Sequence, residues 1–285
     1  MKAVRRTAFF YCLNRPLLKL WNRKIRDRVK GVTMNQFIDK TAVIGKETKI
    51  GYNVIISEGV RIGEGCQIGH NVVIHKDTVI GEGVRIDDNT VIGKLPMRSP
   101  RSIFAEEKNY QATSIGDNCL IGANVIIYVQ AEIGEKNLIA DLATIRENTK
   151  LGDYNIVGRN VTVENFVTIG SKNKIETNSY ITAYSELGDY CFIAPCVATS
   201  NDNYMGRDKE RFNHFKGVTV KSGGRIGVNA TILPGKIIEE DGVVAAGAVV
   251  TKNIPKREIW AGNPAKYFKT VDEKQLKDNN LDPVK

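Results

Sequence analysis

Residues 61–74 read RIGEGCQIGHNVVI, with isoleucines at positions 62, 68 and 74, six residues apart. The same spacing runs without a break from Ile38 to Ile92. An amphipathic helix repeats about every 3.6 residues and a half-buried strand about every 2, so neither explains a period of six. The pattern therefore predicts a repeat architecture whose unit is larger than one helix or strand.

This ladder of aliphatic residues is interrupted twice and resumes each time with the same period. Its second run extends from Ile115 to Ile193 and its third from Val220 to Val250, which gives thirty rungs in all. Three six-residue repeats would form a triangular coil of about 18 residues, with short parallel strands stacked about 4.8 Å apart on each side. We therefore predict an all-β solenoid of about ten coils within residues 34–268.

The two interruptions, residues 94–114 (loop one) and 199–219 (loop two), both combine arginines with aromatic residues. Loops on a rigid scaffold often carry function. Guanidinium groups bind phosphates and aromatic rings stack on flat bases, so the mixture suits a phosphorylated ligand with a base. The alternative is an ordinary surface loop with solvated charges. The predicted substrate contacts from this reasoning are Arg98, Arg101, Tyr204, Arg207 and His214.

Charge and cysteine content limit the classes of partner. The formal net charge is +9, but residues 1–30 hold ten basic residues and one acidic residue, so the rest of the chain is formally neutral. This distribution argues against nucleic acid as a partner. Five cysteines without a CxxC pair indicate a reducing compartment, and we expect a cytoplasmic protein. No apolar run is long enough to suggest a transmembrane helix.

The two ends of the chain are predicted to be helical. Apolar residues spaced by three or four among basic ones in residues 1–33 predict a basic amphipathic helix. It could make weak contact with an anionic membrane surface, pack on the end of the solenoid, or be absent from the mature protein. Residues 269–285 are polar and are predicted to form a short C-terminal helix and tail that cap the solenoid or join subunits.

The isoleucine-glycine hexads resemble those of the hexapeptide-repeat acyltransferases, whose fold is a left-handed parallel β-helix. The resemblance covers residues 38–268 and includes residues 243–266, which read VVAAGAVVTKNIPKREIWAGNPAK. That ending is similar to the last coils and exit loop that hold coenzyme A in the family. The resemblance therefore implies acyl-coenzyme A as a co-substrate and a homotrimer with sites between adjacent prisms. The coenzyme contacts expected from it are Ala246, Gly247, Thr251, Lys252, Pro264 and Lys266.

Residues 175–184 and 199–204 are similar to N-acyltransferases that act on the amino group of nucleotide-linked deoxysugars. The resemblance implies such an acceptor, linked to dTDP for instance, with Asn178 positioning the amine. It also implies substrate contacts at Asn201 and Asp202. The alternative for Asn178 is a structural ladder of asparagines at the turns of the solenoid.

Acyl transfer to an amine also needs a group that takes the amine proton. Polar residues on the middle coils, where Gly, Asn or Ser would suffice, are candidates, and Asp141 and Glu147 join Asn178 as the predicted catalytic residues. Glu176, two residues before Asn178, is a predicted substrate contact. Stacking at about 4.8 Å per coil places Asp141 on the order of 10 Å from Asn178.

Three alternatives remain open from the residues alone. O-acylation of a small or sugar hydroxyl generally uses a histidine base, and no histidine lies on the middle coils. A zinc site like that of the γ-class carbonic anhydrases would use His70 and His75, but a third histidine upstream is missing, and we expect no metal. A non-catalytic trimeric scaffold is the third alternative.

Overall fold

The computed structural model describes residues 36–99 and 109–280, which fold as a three-sided solenoid of parallel strands. The predicted helix of residues 1–33 lies outside the described residues, as does Arg101. Most strands are two residues long, and the second residue of each points into the prism. This explains the period of six, because each repeat supplies one short strand and one turn.

Before loop one the strands are β1 (Phe37–Ile38), β2 (Val43–Ile44), β3 (Lys49–Ile50), β4 (Ile55–Ile56), β5 (Arg61–Ile62), β6 (Gln67–Ile68), β7 (Val73–Ile74), β8 (Val79–Ile80), β9 (Arg85–Ile86) and β10 (Val91–Lys94). Between the loops they are β11 (Ser114–Ile115), β12 (Leu120–Ile121), β13 (Ile126–Tyr128), β14 (Glu132–Ile133), β15 (Leu138–Ile139), β16 (Thr144–Ile145), β17 (Lys150–Leu151), β18 (Ile156–Val157), β19 (Thr162–Val163), β20 (Thr168–Ile169), β21 (Lys174–Ile175), β22 (Tyr180–Ile181), β23 (Glu186–Leu187), β24 (Phe192–Ile193) and β25 (Ala198–Thr199). After loop two they are β26 (Thr219–Val220), β27 (Arg225–Ile226), β28 (Thr231–Ile232), β29 (Ile237–Ile238), β30 (Val243–Val244), β31 (Val249–Val250), β32 (Glu258–Ala261) and β33 (Lys266–Thr270).

Every third strand belongs to the same sheet. The first sheet runs β1-β4-β7 and onward with 11 strands, the second β2-β5-β8 with 10, and the third β3-β6-β9 with 12. Strands β1 to β30 thus form ten triplets, and the predicted parallel solenoid of about ten coils is confirmed. After β31 the chain leaves through an antiparallel hairpin of β32 and β33 on the third sheet.

Inward-facing aliphatic side chains fill the prism from end to end. Ile175 shows the arrangement: it is fully buried and stacks in register between Val157 and Ile193 of the neighbouring coils. The backbone ties the same coils together, since the Gly158 amide donates to the Ile175 carbonyl at 2.7 Å. Burying each such side chain contributes roughly 1.5–3 kcal/mol to folding. The core therefore holds the coils in phase, and the outward residues are available for other roles.

The turns between the sheets form three edges that run along the prism. The first edge joins the first sheet to the second, as in residues 146–149. The second edge joins the second sheet to the third, as in residues 152–155, and the third edge returns from the third sheet to the first, as in residues 158–161. Each outward side chain can therefore be assigned to one edge or one face.

The predicted C-terminal helix is replaced by two separate 3-10 turns, Glu273–Gln275 and Lys277–Asn279. Leu276 between them has extended backbone angles and buries its side chain, which interrupts a regular helix. A third 3-10 turn, Lys209–Asn213, lies in loop two. Within residues 36–99 and 109–280 there is no helix of the length and apolarity that crossing a membrane requires.

Candidate functional site

Both loops leave the prism from the first edge. Loop one separates β10 of the first sheet from β11 of the second, and loop two separates β25 from β26 in the same way. Four ordinary turns, which follow β13, β16, β19 and β22, lie between them. At about 4.8 Å per coil, the loops are roughly 24 Å apart along the edge. We call the surface between them the first-edge strip.

A row of charged and aromatic side chains lines this strip. Tyr128 lies between two cations, with Lys94 Nζ and Arg146 Cζ each 4.7 Å from the centre of its ring. One coil further along, Glu164 Oε2 lies 3.5 Å from Arg146 Nη1. Tyr128, Arg146 and Glu164 are spaced by one coil of 18 residues along the first edge, and Lys94 pairs with Tyr128 across loop one. The strip is therefore a continuous row of a cation, an aromatic ring, a second cation and a carboxylate.

Glu147 is a buried carboxylate at the centre of this row. Its side chain has no exposed surface, and Arg146 binds both oxygens through Nε at 2.8 Å and Nη2 at 3.1 Å. Arg98 of loop one adds a bond from Nη2 to Oε1 at 2.8 Å. Burial raises the pKa of Glu147, but the hydrogen bonds from Arg146 and Arg98 outweigh it and hold the pKa below its usual range. The carboxylate is therefore ionised and its oxygens are already engaged.

Glu164 is the more accessible carboxylate of the strip, and sequence reasoning missed it. Its side chain is 22% exposed, and its ion pair with Arg146 is long, at 3.5 Å. The pKa of Tyr180 is raised by burial and then by the charge of Glu164, which places the phenol and the carboxylate side by side. Glu164 stands 18 residues after Arg146 and could have been found by counting coils. A carboxylate in this setting can accept a proton from a ligand on the strip.

Two exposed aromatic rings lie where the same edge turns toward the second sheet. Phe166 and Tyr184 stack with ring centres 5.3 Å apart and an interplanar angle of 0°. Their exposed fractions are 42% and 38%. The end of loop two passes directly over this point, because Gly217 lies against the backbone of Tyr184 with no room for a side chain. These rings form a flat apolar surface beside loop two.

Asp202 organises loop two from within. Its carboxylate accepts from the Tyr204 amide at 2.8 Å and the Gly206 amide at 3.0 Å, and Arg211 Nη1 donates to it at 2.8 Å. Tyr204 in turn stacks on His214 with ring centres 5.9 Å apart. Asp202, predicted as a substrate contact, thus has its oxygens engaged by its own loop.

The other predicted loop contacts differ in how accessible they are. The Asn201 carbonyl accepts from the Lys216 amide at 3.2 Å, which closes the base of loop two. Arg207 and His214 are exposed, whereas Arg98 is largely buried against Glu147. Of the two predicted arginines that the structure describes, Arg207 is therefore the more accessible to solvent and ligands.

Asn178 and Asp141 lie on the third edge, and loop two leaves from the first. Asn178 has φ 63° in a turn, and its Oδ1 accepts from Asn160 Nδ2 at 3.0 Å, one step of an asparagine ladder. Asp141 Oδ1 accepts from the Ala123 amide of the preceding coil at 3.0 Å. Glu176 is half-buried on the same edge. Strand β22 separates Asn178 from the first-edge strip, so the structure does not bring Asn178 and Glu147 to one edge.

The six residues expected to contact coenzyme A lie at two places near the C-terminal end. Ala246 and Gly247 form an exposed turn of the third edge, and the exit loop that contains Pro264 reaches the same region, since the Ala265 amide donates to the Val249 carbonyl. Lys266 begins β33 and is exposed. Thr251 and Lys252 follow β31 and belong to the first edge.

The histidines do not converge on a common point. His70 lies on the third edge, where its Nδ1 accepts from the Tyr52 amide at 2.9 Å and its ring stacks on Tyr52. His75 follows β7 on the first edge, and its pKa is lowered by burial and by the charge of Lys94. In the described part of the chain, no three His, Cys, Asp or Glu side chains form a group that could hold a metal ion.

Comparison with known proteins agrees with this architecture. The profile described as bacterial transferase hexapeptide (six repeats) matches residues 41–76, and the hexapeptide repeat of succinyl-transferase matches residues 112–140 and 222–252. The structure resembles a UDP-N-acetylglucosamine acyltransferase from Bacteroides fragilis, with a TM-score of 0.51, 21% identity and coverage of 84% of this chain and 74% of that chain. The hexapeptide repeats that the profiles match therefore correspond to coils of the β-solenoid in the structure.

Curated relatives match over shorter stretches. A 2,3,4,5-tetrahydropyridine-2,6-dicarboxylate N-acetyltransferase of Clostridium perfringens is 53% identical over 49 residues, which is 17% of this chain and 21% of that protein. The mitochondrial gamma carbonic anhydrase 1 of Arabidopsis thaliana is 42% identical over 62 residues, 21% of this chain and 22% of that protein. The matches span about a fifth of each relative's length, so they concern the repeats and not a whole enzyme.

Proposed function

We propose that the chain is an acyltransferase that moves an acyl group from acyl-coenzyme A to the amino group of a nucleotide-linked amino-deoxysugar. The observation that carries the proposal is the first-edge strip, where carboxylates and arginines lie in a row between two loops rich in arginine and aromatic residues. The N-acetyltransferase among the relatives and the resemblance of residues 243–266 to a coenzyme A site support the reaction class.

In this proposal Glu164 takes the proton of the attacking amine. The amine nitrogen forms a bond to the thioester carbonyl carbon, the carbon–sulfur bond breaks, and the proton passes through Glu164 to the coenzyme A thiolate. Glu164 suits this role better than Glu147, because two arginines already bind the Glu147 oxygens. Glu147 instead fixes Arg146, whose positive charge lies where negative charge develops on the carbonyl oxygen.

The nucleotide would lie at the loop-two end of the strip. The stacked rings of Phe166 and Tyr184 offer a face for a flat base, and the exposed Arg207 offers charge for phosphates. A dTDP-linked sugar fits both features. Asn178 keeps its predicted role only if a neighbouring subunit brings its third edge to this strip.

A homotrimer would provide that arrangement. A single prism is convex along its edges, so a deep site requires a second prism beside the strip. We therefore expect each site to combine the first edge of one subunit with the coenzyme-binding residues of its neighbour. We also expect the protein to be cytoplasmic, where acyl-coenzyme A and nucleotide sugars are available.

The test is an assay with acetyl-coenzyme A and a dTDP-linked amino-deoxysugar that follows free thiol release and the acetylated product by mass spectrometry. A hydroxyl analogue of the sugar, run in parallel, separates N- from O-acylation. The variant Glu164→Gln should lower kcat about 10²–10⁴-fold, since it removes the proton acceptor without changing shape. Glu186→Gln, an exposed glutamate on the second sheet, is the matched control. Full activity of Glu164→Gln would rule out the proposed role of this residue.

A further inference from the structure

A pocket of about 390 Å³ lies beside the second edge near the C-terminal end of the prism, away from the first-edge strip. The third sheet contributes Arg225, and the second-edge turns contribute Tyr190 and Asp241. Residues 274–280, which follow the exit hairpin, form the remaining wall. The pocket exists because this tail folds back over the side of the prism.

Asp241 joins the tail to the prism and leaves one oxygen unused. Its side chain is 1% exposed, and its Oδ1 accepts from the Lys277 amide at 2.9 Å. Its Oδ2 is buried and has no hydrogen-bond partner. Gly223 leaves room for this carboxylate, because a Cβ there would run into Asp241 Oδ1. A buried carboxylate oxygen without a partner is costly and indicates an acceptor position that a ligand or water fills.

Arg225, at the start of β27, has the complementary property. Its Nε and Nη2 are both buried and both lack a hydrogen-bond partner. These two nitrogens present parallel N–H groups on one side of the guanidinium, the geometry that binds a carboxylate through both oxygens. Burial lowers the pKa of Arg225, while the charge of Asp241 opposes that change.

The chain uses the same side of two other arginines to bind carboxylates. Arg146 donates from Nε and Nη2 to Glu147, and Arg85 donates from the same two nitrogens to Asp87 at 2.7 and 3.2 Å. Arg225 lines the pocket, and this pair of its donors is buried and has no carboxylate of its own. These two pairs indicate that a carboxylate is the group that the Arg225 donors would bind.

We propose that this pocket binds a small carboxylate that also carries a hydroxyl or amino group. Arg225 holds the carboxylate through Nε and Nη2, and Asp241 Oδ2 accepts a hydrogen bond from the second group. The donor is required because Asp241 alone would repel an anion. Lys274 and Lys277 line the pocket and add positive charge near the carboxylate. The site does not depend on the proposed acyl transfer.

Isothermal titration of the full-length protein with glycolate and with acetate tests the proposal, because the two acids differ in the hydroxyl group. Glycolate should bind saturably and about tenfold more tightly than acetate. Arg225→Lys keeps the charge but loses the paired donors, and should weaken glycolate binding about tenfold. Arg61→Lys, at an exposed arginine on β5, is the matched control and should change nothing.

Asp241→Asn gives a second, independent readout. The amide keeps an oxygen for the Lys277 amide but places a donor where Oδ2 stood. The preference for glycolate over acetate should then fall, because the glycolate hydroxyl loses its charged acceptor. Crystals of the wild-type protein soaked in glycolate should show the acid bound to Arg225.

Three results would each overturn the proposal: no saturable binding of glycolate, undiminished binding by Arg225→Lys, or water alone at Arg225 in the soaked crystal. A protein that binds glycolate but transfers no acyl group would leave this site intact and disprove the proposed function instead.

Discussion

Arg98 in loop one donates a hydrogen bond to Glu147 at 2.8 Å, across 49 residues of sequence, and the carboxylate it reaches is fully buried. This contact fixes loop one to the first-edge strip of its own chain. Arg146 binds the same carboxylate, so two arginines share it. Loop one and the strip are therefore coupled through one side chain.

Replacing Glu147 should release loop one and destabilise the fold. Removing one partner of a buried ion pair typically costs about 3–5 kcal/mol, because the remaining charge is left without compensation. We expect Glu147→Gln to lower the urea midpoint and to expose the described part of loop one to proteolysis. Glu186→Gln, on the second sheet, should do neither. If Glu147→Gln matched the wild type in both measurements, the contact would have no energetic importance.

The ion pairs of Glu147 with Arg98 and Arg146 predict that the stability of the fold depends on pH. The folded-state pKa of Glu147 is lowered from its ordinary 4.5, so its contribution to stability is complete above about pH 4.5 and is lost as pH falls through the lower folded-state value. The difference in Tm between the wild type and Glu147→Gln should therefore shrink from about pH 7 to about pH 3. Melting curves followed by circular dichroism measure it. A difference that stays constant or widens in acid contradicts the sign.

Each inward aliphatic side chain should contribute measurably to the free energy of unfolding. Ile175→Ala removes a fully buried side chain between Val157 and Ile193 and should cost about 2–5 kcal/mol. Lys174→Ala changes the outward residue of the same two-residue strand and should cost less than about 0.5 kcal/mol. Urea unfolding of the two variants makes the comparison. Equal losses would mean that the outward row carries as much stability as the core.

Cysteine labelling can locate the coenzyme. Cys196 is exposed on the third edge, one coil beyond Asn178 and two coils before Gly247, whereas burial raises the pKa of Cys191 to about 12. Iodoacetamide should therefore modify Cys196 readily and Cys191 only after unfolding. Coenzyme A should slow the labelling of Cys196 at least about twofold if it lies along this edge. Peptide mass spectrometry reads both sites, and an unchanged rate would place the coenzyme elsewhere.

The fold could be predicted in detail because every rung repeats the same chemistry. A count of six within each of the three runs identifies the aliphatic residue at the inward position of each short strand, since such a side chain in a prism has the same neighbours on each coil. It does not identify the second buried row two positions earlier, to which Val54 and Val60 belong. The C-terminal segment could not be predicted in this way. The segment that contains Leu276 folds onto the prism through Asp241, and such a contact leaves no periodic signal.

The site was predicted less well, because residues that look alike in sequence lie on different edges. Asp141 and Glu147 are both acidic residues close behind an isoleucine, yet one is exposed on the third edge and the other is buried on the first. The phase of the repeat could have separated them and would also have found Glu164. The contact between Arg98 and Glu147 could not be found by counting repeats, because loop one does not follow the six-residue period.

The departure of both loops from the same edge has a consequence for how such a protein can change. Each loop begins and ends at the same corner of the prism, so its length can vary without shifting any strand above or below it. Insertions and deletions at this corner can therefore change which ligand the loops contact, while the repeats that form the rest of each coil keep their sequence. A chimera that exchanges loop two for a loop of different length should keep its coils and alter only its choice of ligand.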